Sequence, residues 1–154
     1  MTDQLHENSD ESAKTPVEIE KDAIEYIRDG DQLLSIIVRS RHSPSATFFT
    51  TTDELEQQVG FIVYPEGGSI APHEHRPLHR EISSTSETLF VRSGSMEAQL
   101  FDERRKLVAT RTLEEGDVIV LVSGSHGFSM NEDTVLLEVK QGPYSGLNEK
   151  IVWG

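Results

Sequence analysis

Cysteine is absent from the 154-residue chain. That excludes disulfide frameworks, zinc ribbons and thiol catalysis together, and it fits a reducing compartment. Basic residues are scarce. Fourteen Lys and Arg stand against 27 Asp and Glu, a formal charge of −13. Nucleic-acid affinity rests on clustered Lys and Arg, so a phosphate-backbone binder is not expected. Anionic membranes are disfavoured for the same reason. No run of 18 apolar residues exists, so no spanning helix is expected. The opening MTDQLHENSDESAK lacks the basic-then-apolar layout of a secretory leader, and a cytoplasmic location is the default expectation.

What the chain does hold is a single domain's worth of residues with 35% apolar content and 11 glycines. Residues 1–16 are polar and acidic without apolar periodicity, which predicts a disordered tail. Residues 17–32 carry apolar positions at Val17, Ile19, Ile24 and Ile27, and predict a short helix or an extended arm ending at the turn Asp29-Gly30-Asp31. From 33 to 154 the pattern is that of strands. Leu33–Val38, Ala46–Thr50, Gly60–Tyr64, Glu87–Arg92, Ser95–Phe101, Leu107–Leu113, Val118–Val122, His126–Met130 and Thr134–Val139 are short β-branched or alternating runs. Gly-rich turns separate many of them, and almost no helix signal intervenes, which predicts an all-β barrel or sandwich.

The stretch Pro72-His73-Glu74-His75 offers chemistry. Residues two apart on a strand share a face, so His73 and His75 are expected to point inward together. Glu87 on a neighbouring strand and His126, the last histidine in the chain, complete a candidate donor set. Imidazole and carboxylate together suit Zn, Fe, Mn, Ni or Co. Glu81, with five residues between it and His75, competes with Glu87 for the carboxylate position.

Here the chain resembles the cupin superfamily, whose first motif reads G-x5-H-x-H-x3-4-E-x6-G and whose second reads G-x5-P-x-G-x2-H-x3-N. Gly68, His73, His75, Glu87 and Gly94 follow the first in order, and Gly116, Gly124, His126 and Asn131 the second. The resemblance implies a cupin-type β-barrel, the double-stranded β-helix or jelly roll, commonly dimeric, with a divalent metal held inside by His73, His75, Glu87 and His126. Four departures stand out. Eleven residues, RPLHREISSTS, separate His75 from Glu87 where the motif has three or four, Val122 stands where proline is usual, one residue is missing before His126, and one is added before Asn131. A closer resemblance over about residues 60–150 is to small single-domain cupins often encoded near polysaccharide and nucleotide-sugar genes. The segments ETLFVRSGSMEAQLFD, GDVIVLVSGSHGF and LLEVKQGPYSGLNEK carry it.

The insertion places His79, Arg80 and Glu81 at the expected pocket mouth, as anion-binding or acid–base groups. Tyr144 is a candidate proton donor. Alternation puts Glu87, Leu89 and Val91 on one face of their strand and turns Arg92 to the other. Phe128, Met96 and Met130 are read as core or pocket wall. The functions in competition are a metal-dependent cupin enzyme of isomerase or oxygenase type acting on a small polar molecule such as a sugar derivative, a non-catalytic binding or sensor cupin, and a metal-free sugar isomerase or epimerase. A homodimer is implied by the resemblance.

Overall fold

The computed structural model describes residues 23–153, apart from the side chains of Leu147 and Asn148. The tail expected over 1–16 and residues 17–22 of the arm lie outside the described residues. The rest of the arm is extended. β1 (Ile24–Asp29) pairs antiparallel with β2 (Gln32–Val38) across a two-residue loop at Gly30-Asp31, so the barrel sheet begins before residue 33. The loop works because Gly30 takes φ +57, a left-handed conformation open to glycine.

Eight further strands follow: β3 (Phe48–Phe49), β4 (Gly60–Phe61), β5 (Glu87–Ser93), β6 (Ser95–Phe101), β7 (Leu107–Glu114), β8 (Val118–Leu121), β9 (Ser125–Met130) and β10 (Val135–Lys140). They form a five-stranded sheet in the order β1-β2-β8-β5-β10, a three-stranded sheet β7-β6-β9, and a two-stranded ribbon β3-β4. Every pairing is antiparallel. The architecture is all-β, of the cupin or jelly-roll kind. Among the described residues no helix is long and apolar enough to cross a membrane.

Strand composition follows position. β5 and β6 alternate buried and half-exposed residues, because one face meets the core and the other meets solvent. β2 and β8 are apolar almost throughout, because the ribbon covers their outer face. The core between the two sheets is built from Ile27, Ile37, Leu89, Val91, Met96, Ala98, Leu100, Leu113, Ile119 and Leu121. Each large side chain among them contributes about 1.5–3 kcal/mol by leaving water. On the other face Ile24, Ile36, Val38 and Val120 pack against Phe48, Phe61 and Val59. His42 stands edge-on to both Phe48 and Phe61 there.

The two ribbon strands are shorter than the sequence predicts. Thr47 replaces a backbone ladder beyond Phe48, since its hydroxyl accepts from Val63 N at 2.8 Å and donates to Val63 O at 3.3 Å. Pro65 and the turn at Gly67 then end the pairing. Residues 62–86 form neither helix nor strand, and every residue from 64 to 85 is exposed.

Candidate functional site

Register sorts the interior into rows. Directly paired residues of an antiparallel sheet point to the same face. One row therefore runs Ile27, Ser35, Leu121, Glu87, Lys140 across the five-stranded sheet. The facing row of the other sheet is His126, Leu100, Ala109. Ile27, Leu121 and Leu100 belong to the core, which fixes both rows as inward-facing. The next row inward holds Glu138, Leu89 and Ile119 on one sheet, and Phe128 and Ala98 on the other.

Glu87 opens β5 and is 7% exposed. Its position is held from both sides. Ser86 N donates to Gln141 Oε1 at 2.8 Å, which ties the start of β5 to the end of β10. His126 Nε2 stands 3.3 Å from Glu87 Oε2, and Lys140 Nζ stands 3.8 Å from Glu87 Oε1. Lys140 is also 3.7 Å from Glu138 Oε1 and 3.9 Å from Glu149 Oε2. Glu149 belongs to a short 3-10 helix, Gly146–Glu149, beyond β10. The chain then runs on to Trp153, whose ring meets Phe101 at 5.0 Å and lies under the Arg105 guanidinium. The C-terminal segment therefore passes from the end of β10 to the end of β6, beside this end of the barrel.

Burial pushes the His126 imidazole below its ordinary pKa, and Lys150 adds to that effect. The charges of Glu87 and Glu138 oppose it without reversing it. A neutral imidazole with Nε2–H directed at Glu87 leaves Nδ1 as a proton acceptor. The ring lies 5.3 Å from Phe128, which forms a wall beside it.

The other expected site residues are elsewhere. His73 and His75 are exposed and outside any strand, although their rings face one another at 5.3 Å. Pro72 and Pro77 flank them and remove two ladder donors, and His73 Nδ1 meets the Ala71 carbonyl at 3.0 Å instead. Arg80 and Glu81 line an open groove with Phe49, Asp53, Leu55, Glu56, Gln58 and Ile82, away from the Glu87–His126 pair. Ser84 anchors that side through a 2.6 Å bond to Glu56. His79 is exposed on the same segment. Tyr144 is 70% exposed, and its ring, at 5.3 Å, packs beside Lys140 Nζ. Arg92 is exposed and turned away from the interior, as alternation predicts.

Of the two candidate carboxylates, Glu87 is the one that meets a histidine. The four expected metal ligands fall into two pairs, His73 with His75 and Glu87 with His126. Among the described residues no group of three or more His, Cys, Asp or Glu side chains could hold a metal ion. Each pair supplies two donors, short of the three or four protein ligands that transition-metal sites use. Sequence reading missed the place of Lys140. The signal was present in Leu136, Glu138 and Lys140, which share one face of β10 and bring a half-exposed carboxylate and a largely buried ammonium to that face.

No family model matches the chain, and no solved structure does. Among curated proteins it is similar to germin-like protein 11-1 of Oryza sativa subsp. japonica, at 41% identity over 87 residues. That stretch is 56% of this chain and 36% of the rice protein, so the match spans about a third of the relative's length. Germins are cupins. The similarity supports the cupin superfamily. It agrees with the paired antiparallel sheets and with an interior that carries Glu87 and His126 at one end.

Proposed function

We propose that the protein is a cupin that binds a small polar molecule, of the sugar-derivative class, at the barrel end formed by Glu87, His126 and Lys140. The observation that carries this reading is the inward-facing Glu87–His126 pair, 3.3 Å apart, with Lys140 beside it. A carboxylate, an imidazole and an ammonium gathered at the end of an otherwise apolar barrel supply the few convergent polar groups that a small-molecule site uses.

Metal binding is part of the proposal, because cupins commonly bind metals. The ligand set would be His73, His75, Glu87 and His126, with a divalent cation of the Zn, Fe, Mn, Ni or Co group. It requires the exposed Pro72–Pro77 stretch to move next to β9, whose outer edge has no strand partner among the described residues. Elemental analysis of protein purified without a metal-affinity tag tests it. One metal per chain, lost in the His73→Ala, His75→Ala double variant, is the expected result. Metal content unchanged in that variant would remove the two histidines from the ligand set.

A metal-free isomerase or epimerase is the second reading, and the contact of His126 with Glu87, with the Lys140 ammonium on the other Glu87 oxygen, favours it. His126 Nδ1 would take the proton from a carbon next to a carbonyl. The C–H electron pair would pass to the carbonyl oxygen as an enolate, and Lys140 would offset the new charge. Delivery of a proton to the opposite face by the Lys140 ammonium would complete an epimerisation, and proton exchange with solvent would restore both groups. Proton–deuterium exchange at that carbon, present in wild type and lost in His126→Gln, would support this reading over simple binding.

A homodimer is proposed through β10. Val135, Leu137 and Val139 share its outward face and are each more than half exposed. The pattern is palindromic about Leu137. An antiparallel pairing of two β10 edges would set Leu137 against its copy and Val135 against Val139, covering an edge that soluble proteins otherwise protect.

A further inference from the structure

Lys140 was not among the expected ligands, yet it closes the inward row Ile27, Ser35, Leu121, Glu87, Lys140. Its side chain is 18% exposed. The carboxylates of Glu138, Glu87 and Glu149 surround its Nζ at 3.7, 3.8 and 3.9 Å. None is within the distance of an N–H···O hydrogen bond, about 2.7–3.2 Å. The ammonium thus presents three donors to the space between these acids. A second unused group lies on the same row. Ser35 Oγ is fully buried and has no hydrogen-bond partner. Buried hydroxyls are almost always partnered, so an orphan on this row points to something polar entering the barrel end.

We propose that this barrel end selects a neutral polyhydroxylated molecule, a sugar or sugar alcohol without phosphate, and that Lys140 is the residue that determines the selection. The inference rests on the reading that the Glu87–His126 end is the ligand site. A hydroxyl both donates and accepts. It can accept a hydrogen bond from Lys140 Nζ and donate one to Glu87, Glu138 or Glu149, which an ionised phosphate or carboxylate cannot. An anion placed against Lys140 would stand beside three carboxylates already there. Around the pair the carboxylates of Glu87, Glu138 and Glu149 outnumber the ammonium groups of Lys140 and Lys150. The whole chain carries −13. Both charges oppose entry of a nucleotide or a sugar phosphate. The Phe128 and Tyr144 rings offer flat apolar surface for the C–H face of a pyranose.

Titration calorimetry of the full chain tests the inference, with glucose, galactose, mannose and the 1-phosphate of each as probes and His126 followed by NMR. At least one neutral sugar should bind and shift the His126 ring signals. Its 1-phosphate should bind about tenfold more weakly or worse. Lys140→Met should weaken the neutral sugar by about tenfold. The Glu138→Gln, Glu149→Gln double variant should narrow the gap between sugar and phosphate, because it removes two repelling charges and keeps the side-chain shapes. A phosphate that binds as well as its parent sugar, through the same His126 signals, overturns the selection and leaves the ligand-site reading standing. Undiminished affinity in Lys140→Met overturns the role of that residue. No binding by either class, with the His126 signals unmoved, overturns the inference together with the site reading.

Discussion

Replacing Arg39 by methionine should destabilise the fold more than any other single charge removal on the β1–β7 side of the barrel. Arg39 follows β2 and reaches three elements. Its guanidinium meets Glu25 of β1 at 2.6 Å, Asp117 ahead of β8 at 2.9 Å, and the Thr112 carbonyl of β7 at 2.7 Å. Arg111 of β7 binds the other oxygen of Glu25 at 2.7 Å. The cluster therefore clasps the five-stranded sheet to the three-stranded one. Removing one partner of a buried pair costs about 3–5 kcal/mol, because the other charge is left without its counter-ion. Here Asp117 keeps two backbone donors, Ser40 N at 2.8 Å and Glu114 N at 3.2 Å, and the Arg39 side chain is 16% exposed. Those two facts lower the expected loss to about 2–4 kcal/mol. In a chain of this length that is a fall in Tm of roughly 5–15 °C.

Urea unfolding at pH 7 reads the loss, and the same experiment at low pH reads its cause. Burial raises the Glu25 pKa, but the hydrogen bonds from Arg111 and Arg39 outweigh it and hold the group below its ordinary 4.5. A depressed carboxylate pKa contributes stability above the unfolded value, and that stability is lost as pH falls through the folded value. The gap between wild type and Arg39→Met should therefore be full at pH 7 and shrink below about pH 4.5. Arg111→Gln is the control. Arg111 is 41% exposed, and its loss should cost no more than about 1 kcal/mol. Equal losses in the two variants, or a gap that persists unchanged at pH 3, would refute the clasp.

Gly124→Ala should cost about 2–4 kcal/mol by chemical denaturation, since the residue takes φ +72 and its new Cβ would meet the Phe101 carbonyl. Gly30→Ala, at φ +57 with open space around it, should cost only about 1 kcal/mol, which separates steric from conformational cost. The proposed β10 dimer predicts that light scattering reports a dimer for wild type and a monomer for Leu137→Lys, on the exposed face of β10, with the variant monomer's unfolding free energy changed by no more than about 0.5 kcal/mol. Trp153→Ala should lower stability by about 1–2 kcal/mol, because it unpins the C-terminal segment from Phe101 and Arg105.

The sheets were legible in the sequence because their signal is local. β5, β6 and β10 alternate faces with period two, and the turns between strands carry glycines that only a few conformations demand. The ribbon was half legible. Its residues were identified, but its two-residue strands were not, because a threonine side chain does there what a backbone ladder does elsewhere. The arm was legible only as a pair of alternatives, and its pairing with β2 decided between them.

The candidate site divides along the same line. Glu87 and His126 lie on strands whose neighbours force them inward, so period and register suffice to bring them together. His73 and His75 carry the motif spacing but sit between two prolines in a stretch with no buried side chain to set its place. Spacing in sequence specifies a shared face only where a sheet supplies one, and here the sheet ends at Phe61 and resumes at Glu87. Lys140 shows the converse. No motif marks it, yet its strand has one apolar neighbour facing inward at Leu136 and a fixed register against Glu87, and these are enough to place an ammonium beside a buried carboxylate. In this chain the strand register, more than the motif, brings Glu87, His126 and Lys140 together at one end of the barrel.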